Sequence, residues 1–190
     1  MMRHRISPDK LCRMSTSHPE ITGIQFPAEG KYRIVPGRST VSFTTSHLFG
    51  LGKVRGSFRI EDGLIHVADP VGGSSARATI AAASVDTGNS TRDSMLRSPT
   101  YLDATAHPHI TFASDRLEES EGALLLHGTL TVRESTAPVQ LRVDSSEADA
   151  TTVRLTASCR IDRYAFAITA MKAMTGRWQT MLLDVTAERD

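Results

Sequence analysis

Little in this chain marks a reactive or strongly charged surface. It has two cysteines in 190 residues, Cys12 and Cys159. Two so far apart form neither a disulfide framework nor a metal motif, and their scarcity fits a reducing compartment. The 22 basic residues nearly cancel the 21 acidic ones, so the bulk charge gives no electrostatic case for nucleic acid or an anionic membrane. No stretch is long and apolar enough to span a bilayer, and the basic start, Met1-Met2-Arg3-His4-Arg5, is not followed by the apolar run of a secretory signal. The expectation is a cytoplasmic protein without a transmembrane segment. Catalytic patterns are missing too: there is no G-x-S-x-G elbow and no phosphate-loop glycine spacing. His107 and His109 are the closest histidine pair. Pro108 separates them and no third ligand stands nearby, so they read as a turn leading into a strand. No catalytic residue and no metal site is expected.

What the chain does have is alternation. Residues 1–28 show no period and carry Pro8, Pro19 and Pro27; they read as a flexible leader outside a single domain spanning 29–190. From Lys31 onward the apolar period is two. Val41, Phe43, Thr45 and His47 share one face, and so do Leu124, Leu126, Leu130 and Val132, and then Val153, Leu155, Ala157, Cys159 and Ile161. Pro36-Gly37-Arg38-Ser39 reads as a turn, and Glu61-Asp62-Gly63 as a hairpin. About eight strands with almost no helix imply an all-β antiparallel barrel or a sandwich. Strand length and the mid-strand glycines Gly56 and Gly128 tip the reading toward a barrel.

One stretch, residues 84–108, interrupts the alternation. Asp86-Thr87-Gly88-Asn89 is turn chemistry. Asn89 or Ser90 then caps a short helix through Arg97, with Asp93 in its first turn and Arg97 in its last, and Pro99 stops it. Met95, Leu96, Tyr101 and Leu102 give the segment an apolar side, so it is expected to lie as a short helical cap across one end of the barrel.

Several of these pieces occur together in a fixed order. They are Y-R-I-V-P-G-R-S-T-V-S-F-T-T-S-H at 32–47, V-R-G-S-F-R-I-E-D-G at 54–63, S-V-D-T-G-N, R-D-S-M-L-R-S, H-P-H-I-T-F, H-G-T-L-T-V, and I-D-R at 161–163. The ordered set resembles the YceI-like family of lipid-binding proteins over about residues 31–187. That resemblance implies a lipocalin-like, extended antiparallel β-barrel holding a polyisoprenoid or a similar long amphiphile. It implies no catalytic residue set, and no cofactor beyond a bound isoprenoid lipid. Many members are secreted or periplasmic, whereas no export signal is seen here. Two local departures stand out. Ala165-Phe166-Ala167 replaces a run that often contains an acidic residue, an aromatic and a glycine, and Arg133-Glu134-Ser135-Thr136 replaces a glycine-containing turn.

The functional expectation rests on an interior too large to fill. Only 5% of residues are aromatic, and the strand from Ser75 onward is rich in alanine. Inward alanines either leave a lumen or meet large residues of the opposite wall; the family resemblance favours the lumen. Its expected wall comprises Phe43, Phe58, Ile80, Leu96, Leu102, Phe112, Leu130 and Phe166. A polar head group would meet His47, Arg92, Arg97 or Arg163, because a guanidinium offers phosphate paired, charge-assisted hydrogen bonds. The alternative, which is favoured over the head-group role, is structural, with Arg92 and Asp93 fixing the turn through local bonds and Arg163 pairing with Asp162 or a solvated carboxylate. The expected function is non-catalytic carriage of a long-chain isoprenoid or other lipid, with the segment 86–103 gating the entrance. The rival is a stress-related interaction protein with a packed barrel, working through its surface or as a homodimer.

Overall fold

The computed structural model describes residues 23–47, 51–172 and 174–190, with every side chain among them except that of His47. Expectations for Cys12, for the first part of the leader and for the His47 side chain therefore lie outside the described residues. The strands are β1 (Gly30–Ile34), β2 (Thr40–His47), β3 (Gly52–Val67), β4 (Ser75–Ala81), β5 (His109–Ser120), β6 (Ala123–Val132), β7 (Ser135–Ala148), β8 (Thr152–Asp162) and β9 (Thr175–Arg189); helix α1 (Ser90–Arg97) lies between β4 and β5.

Nine strands make an eight-lane closed antiparallel barrel. The ring runs β3-β2-β9-β8-β7-β6-β5-β4, and β4 pairs back onto β3. β1 and β2 share one lane, because both pair with β3 and β9. The lane is broken where Pro36–Arg38 forms a 3₁₀ turn. Pro36 has no N–H to give a ladder, so the turn falls where pairing is already lost. Ser39 repairs the gap: its hydroxyl donates to the Thr186 carbonyl at 3.2 Å and accepts from the Thr186 N–H at 3.1 Å.

The barrel has two unlike ends. Loops after β2, β4, β6 and β8 gather at the helix end, with α1. Turns after β3, β5 and β7 gather at the other end, together with the residues leading into β1. Those residues correct the leader boundary of 28. Ile24 bridges Ser146 in parallel, Gln25 donates its N–H to the Ser146 carbonyl at 2.8 Å, and the Ser146 hydroxyl donates to the Gln25 carbonyl at 2.9 Å. This strap end is thus closed by residues 24–27. The pairing uses main-chain groups, which leave no periodic trace in the sequence.

Glu61-Asp62-Gly63 is not a hairpin either. β3 runs on for 16 residues, and its register against β4 shifts between Ile60 and Asp62. Gly63 serves close packing rather than a turn, since a Cβ there would stand 2.5 Å from Ile34 Cδ1. Gly56 does the same inside the barrel. A Cβ there would lie 2.6 Å from the Phe43 ring and 2.8 Å from the Asp86 carbonyl oxygen. That space lets Ser57 and Asp86 exchange two main-chain hydrogen bonds at 2.9 and 3.0 Å, which tie the capping segment to the wall. Gly128 lies opposite Ser114, where the β5–β6 register shifts, as expected of a barrel bend.

Candidate functional site

Period-two alternation sends one face of every strand inward, and the inward side chains leave an apolar cavity of about 260 Å³. Its wall extends from Leu96, Leu102 and Phe166 at the helix end to Val71, Phe26 and Pro27 beneath the strap. Because its lining comes from both ends of the barrel, the cavity is drawn out along the barrel. The alanines of β4 make room for it. Ala78 stands in register with Phe112, and both it and Ala76 are on the cavity wall. Phe43 and Phe58 contribute a tilted ring pair with centroids 5.5 Å apart.

Phe43, Phe58, Ile80, Leu96, Leu102, Phe112, Leu130 and Phe166 all stand on this wall. Alternation found them because each belongs to a strand face or to the apolar side of the capping segment. Sequence reasoning did not single out Phe26 and Pro27, which lack any period. Tyr101, expected on the apolar side of the capping segment, is on the wall too, and its buried hydroxyl has no hydrogen-bond partner among the described residues. Cys159 is on the wall as well, and burial pushes its thiol up to about 11, which keeps it a neutral, small apolar group.

The arginines behave differently from their reading as phosphate partners. Arg92 is not on the wall. Its Nε donates to Thr87 Oγ1 at 2.7 Å and its Nη2 to the Thr87 carbonyl at 2.9 Å. Arg163 is on the wall and 2% exposed. It pairs with no carboxylate among the described residues. Nε donates to the Gly176 carbonyl at 3.0 Å, Nη1 to Ile168 at 2.8 Å and Nη2 to Thr175 at 3.1 Å. Asp162 is taken instead by Arg177, through Nε at 2.9 Å and Nη2. A buried guanidinium is tolerable because three carbonyls accept its protons, and the loop after β8 is held by the same bonds.

The capping segment forms as the sequence implied. Asn89 caps α1 by accepting the Arg92 N–H at 2.9 Å. Buried Asp93 accepts from the N–H and hydroxyl of Thr87. Arg97 donates to the Ala83 and Val85 carbonyls at 2.7 and 2.6 Å. With Val85, Tyr101 and Leu102 buried, the segment is a fixed plug with its apolar side on the lumen.

A YceI-like domain model matches residues 32–187. The chain belongs to the YceI-like family. Among curated relatives, it is 35% identical over 107 residues to protein YceI of Shigella flexneri, covering 53% of each. It is 33% identical over 125 residues to a UPF0312 protein of Pectobacterium carotovorum, covering 63% of this chain and 62% of that one. The matches thus span between half and two thirds of those relatives' length. Among solved YceI-like barrels, BcnA of Burkholderia cenocepacia superposes with a TM-score of 0.72 at 19% identity, over 80% of this chain and 98% of that one. A polyisoprenoid-binding domain from Saccharophagus degradans superposes with a TM-score of 0.61 at 15% identity, over 84% and 98%. At such identities the likeness is one of fold.

Proposed function

We propose that this chain binds and carries a long apolar amphiphile, a polyisoprenoid or an isoprenoid quinone, with its tail in the barrel lumen and without chemical conversion. The observation that carries the reading is the apolar cavity between β4's alanines and the aromatic wall of Phe43, Phe58 and Phe112. Each CH₂ moved there from water would contribute about 0.8 kcal/mol. The polyisoprenoid-binding description of one structural neighbour supports the same class of ligand. Arg92 and Arg163 are engaged by Thr87 and by loop carbonyls, which favours a weakly polar head, such as a quinone, over a pyrophosphate. The unpartnered Tyr101 hydroxyl is suited to meet an oxygen of such a head. Closure of the ring pairs every strand with two neighbours, which leaves no free strand edge through which the rival homodimer could pair.

Organic extraction of the purified protein followed by mass spectrometry tests this. A stoichiometric long-chain isoprenoid in the wild-type extract, lost from a folded Ala76→Leu/Ala78→Leu variant whose lumen is filled, is the expected result. An extract that stays empty after incubation with a polyprenyl and quinone panel would remove the carrier reading.

A further inference from the structure

The helix end carries an apolar, cation-ringed tip that neither the plug nor the lumen uses. Leu51 is 90% exposed, Met171 42% and Trp178 44%. Register brings them together. Gly52 pairs with His47, His47 with Thr175, and Thr45 with Gln179. Thr175, which with Met174 donates its N–H to the Met171 carbonyl at 2.9 Å, therefore stands in line with the ends of β2 and β3, next to Leu51. Of the six large apolar side chains exposed among the described residues, five (Leu51, Met95, Met171, Met174 and Trp178) are at this end, and Leu182 lies on the barrel wall.

The charge around the tip is predominantly positive, although exposed Asp86 and Glu134 also lie at the helix end. Residues 42–57 contain Lys53 and Arg55 and no acidic residue; residues 158–180 contain Arg160, Arg163, Lys172 and Arg177 against Asp162 alone. Asp162 is already bonded to Arg177. The cations are interleaved with aromatic rings: the Arg160 guanidinium lies 4.7 Å and that of Arg177 5.4 Å from the Trp178 ring. Lys172 and Arg177 lie 5.5 and 5.1 Å from the Tyr164 ring. At the strap end acidic residues predominate, with exposed Asp69, Glu119, Glu121, Glu147, Asp149 and Asp190 against Lys31, Arg33, Arg154 and Arg189.

We infer that this tip docks on an anionic lipid surface, with Leu51, Met171 and Trp178 at the headgroup–acyl boundary and Lys53, Arg55, Arg160, Lys172 and Arg177 against the headgroups. An amphipathic indole beside arginines suits the interface. Each basic residue near an anionic leaflet contributes to attraction, while the acidic strap end is repelled, which fixes the orientation. The loop that carries Met171 also carries Phe166 and Ile168, which wall the lumen, so docking sets the lumen beside the membrane. The role of docking as a loading step rests on the carrier reading; the docking itself does not.

Trp178 is the chain's one tryptophan, so its emission reports on the tip directly. The full chain is mixed with phosphatidylglycerol-rich or pure phosphatidylcholine vesicles, and emission and co-sedimentation are read. A blue shift and sedimentation with the anionic vesicles only, reversed by salt, are expected. Arg160→Glu should weaken partitioning about thirtyfold, from about 1 kcal/mol for each charge removed and each added. Leu51→Glu with Met171→Glu should abolish it, and Leu182→Glu, away from the tip, should leave it unchanged. Unaltered Trp178 emission with both vesicles, equal binding to both, or binding that survives the Leu51 and Met171 changes would each overturn the inference. Lipid extraction of the same preparations separates the two proposals. Vesicle binding by a protein with an empty extract removes carriage and keeps docking, whereas a lipid-loaded protein that ignores vesicles does the reverse.

Discussion

The helix end and the strap end of this barrel are closed by different physics. At the helix end, arginines bind main-chain carbonyls of the long loops and of the start of β9: Arg92 at Thr87, Arg97 at Ala83 and Val85, Arg133 at Tyr101, and Arg163 at Ile168 and, in β9, Thr175 and Gly176. At the strap end the turns are short, and residues 24–27 are held by main-chain pairing to Ser146 and by the Gln25 side-chain carbonyl, which accepts the Ala148 N–H at 3.1 Å. Long irregular loops leave carbonyls without a ladder partner, and a buried polar group without a partner costs stability. A guanidinium has five donors in a fixed fork and can serve several carbonyls at once. The arginines at the helix end are therefore explained by the loops there.

The largest expected effect separates the two closures. Arg163→Ala would leave the Ile168, Thr175 and Gly176 carbonyls without their donor and lose about 3 kcal/mol. Ser146→Ala at the strap removes one hydroxyl hydrogen bond and should lose about 1 kcal/mol. Urea denaturation of both variants gives the ratio; equal losses would mean that the helix end is not the more strongly fastened one. Asp93→Ala, which strips Thr87 of its buried acceptor, should fall between them at about 2 kcal/mol.

These contrasts mark how far the sequence could be read. Strand faces, the cap at Asn89 and the wall residues followed from periodicity and local chemistry, because alternation and capping are encoded within a few residues. Arg92 fixing its turn through Thr87 followed from local chemistry, whereas the role of Arg163 did not, since its carbonyl partners at 168, 175 and 176 are brought near only by the fold. Residues 24–27 were invisible because their pairing with β7 uses no side-chain pattern. The formal charge of +1 averaged a basic tip with an acidic strap end, and so hid the asymmetry on which the docking inference rests. At 61–63 the turn signal was real chemistry put to another use, with Gly63 admitting Ile34.

Two smaller substitutions sharpen the picture of the helix end. In lipid-free protein, Tyr101→Phe removes a buried hydroxyl without a partner and should leave stability unchanged or raise it by about 1 kcal/mol. A loss of stability would show that the hydroxyl has a partner in the folded protein. If it also meets the ligand, the same variant retains less lipid on extraction. Ala167 holds a left-handed backbone, φ 56° and ψ 17°, at the end of the 3₁₀ turn Arg163–Phe166, in the run where the family resemblance implies glycine. Ala167→Gly should therefore raise stability by about 0.5–1 kcal/mol, relief of the Cβ clash outweighing the added freedom of the unfolded chain. Thermal unfolding measures it, and a decrease would show that the loop does not keep that conformation in solution.

The smallest effect is electrostatic and compares one carboxylate from each end. Asp162 at the helix end is held below the usual carboxylate range chiefly by its hydrogen bond from Arg177, with help from the Tyr164 amide. Asp149 at the strap end is lowered chiefly by the Thr151 and Thr152 amides. In both, the depressed value means that the contribution to stability is present above the unfolded carboxylate value of about 3.9 and is lost as the pH falls through the folded value. Stability should thus decline only below about pH 4, and neither group contributes a slope near neutrality. The partners differ in one testable way. Arg177 is an exposed, mobile charge that salt screens, whereas the two amides are fixed dipoles of a turn, which salt screens little. In an NMR titration, added salt or Arg177→Gln should move Asp162 toward the ordinary value and leave Asp149 in place. An equal response of the two would mean that both ends hold their carboxylates by the same means.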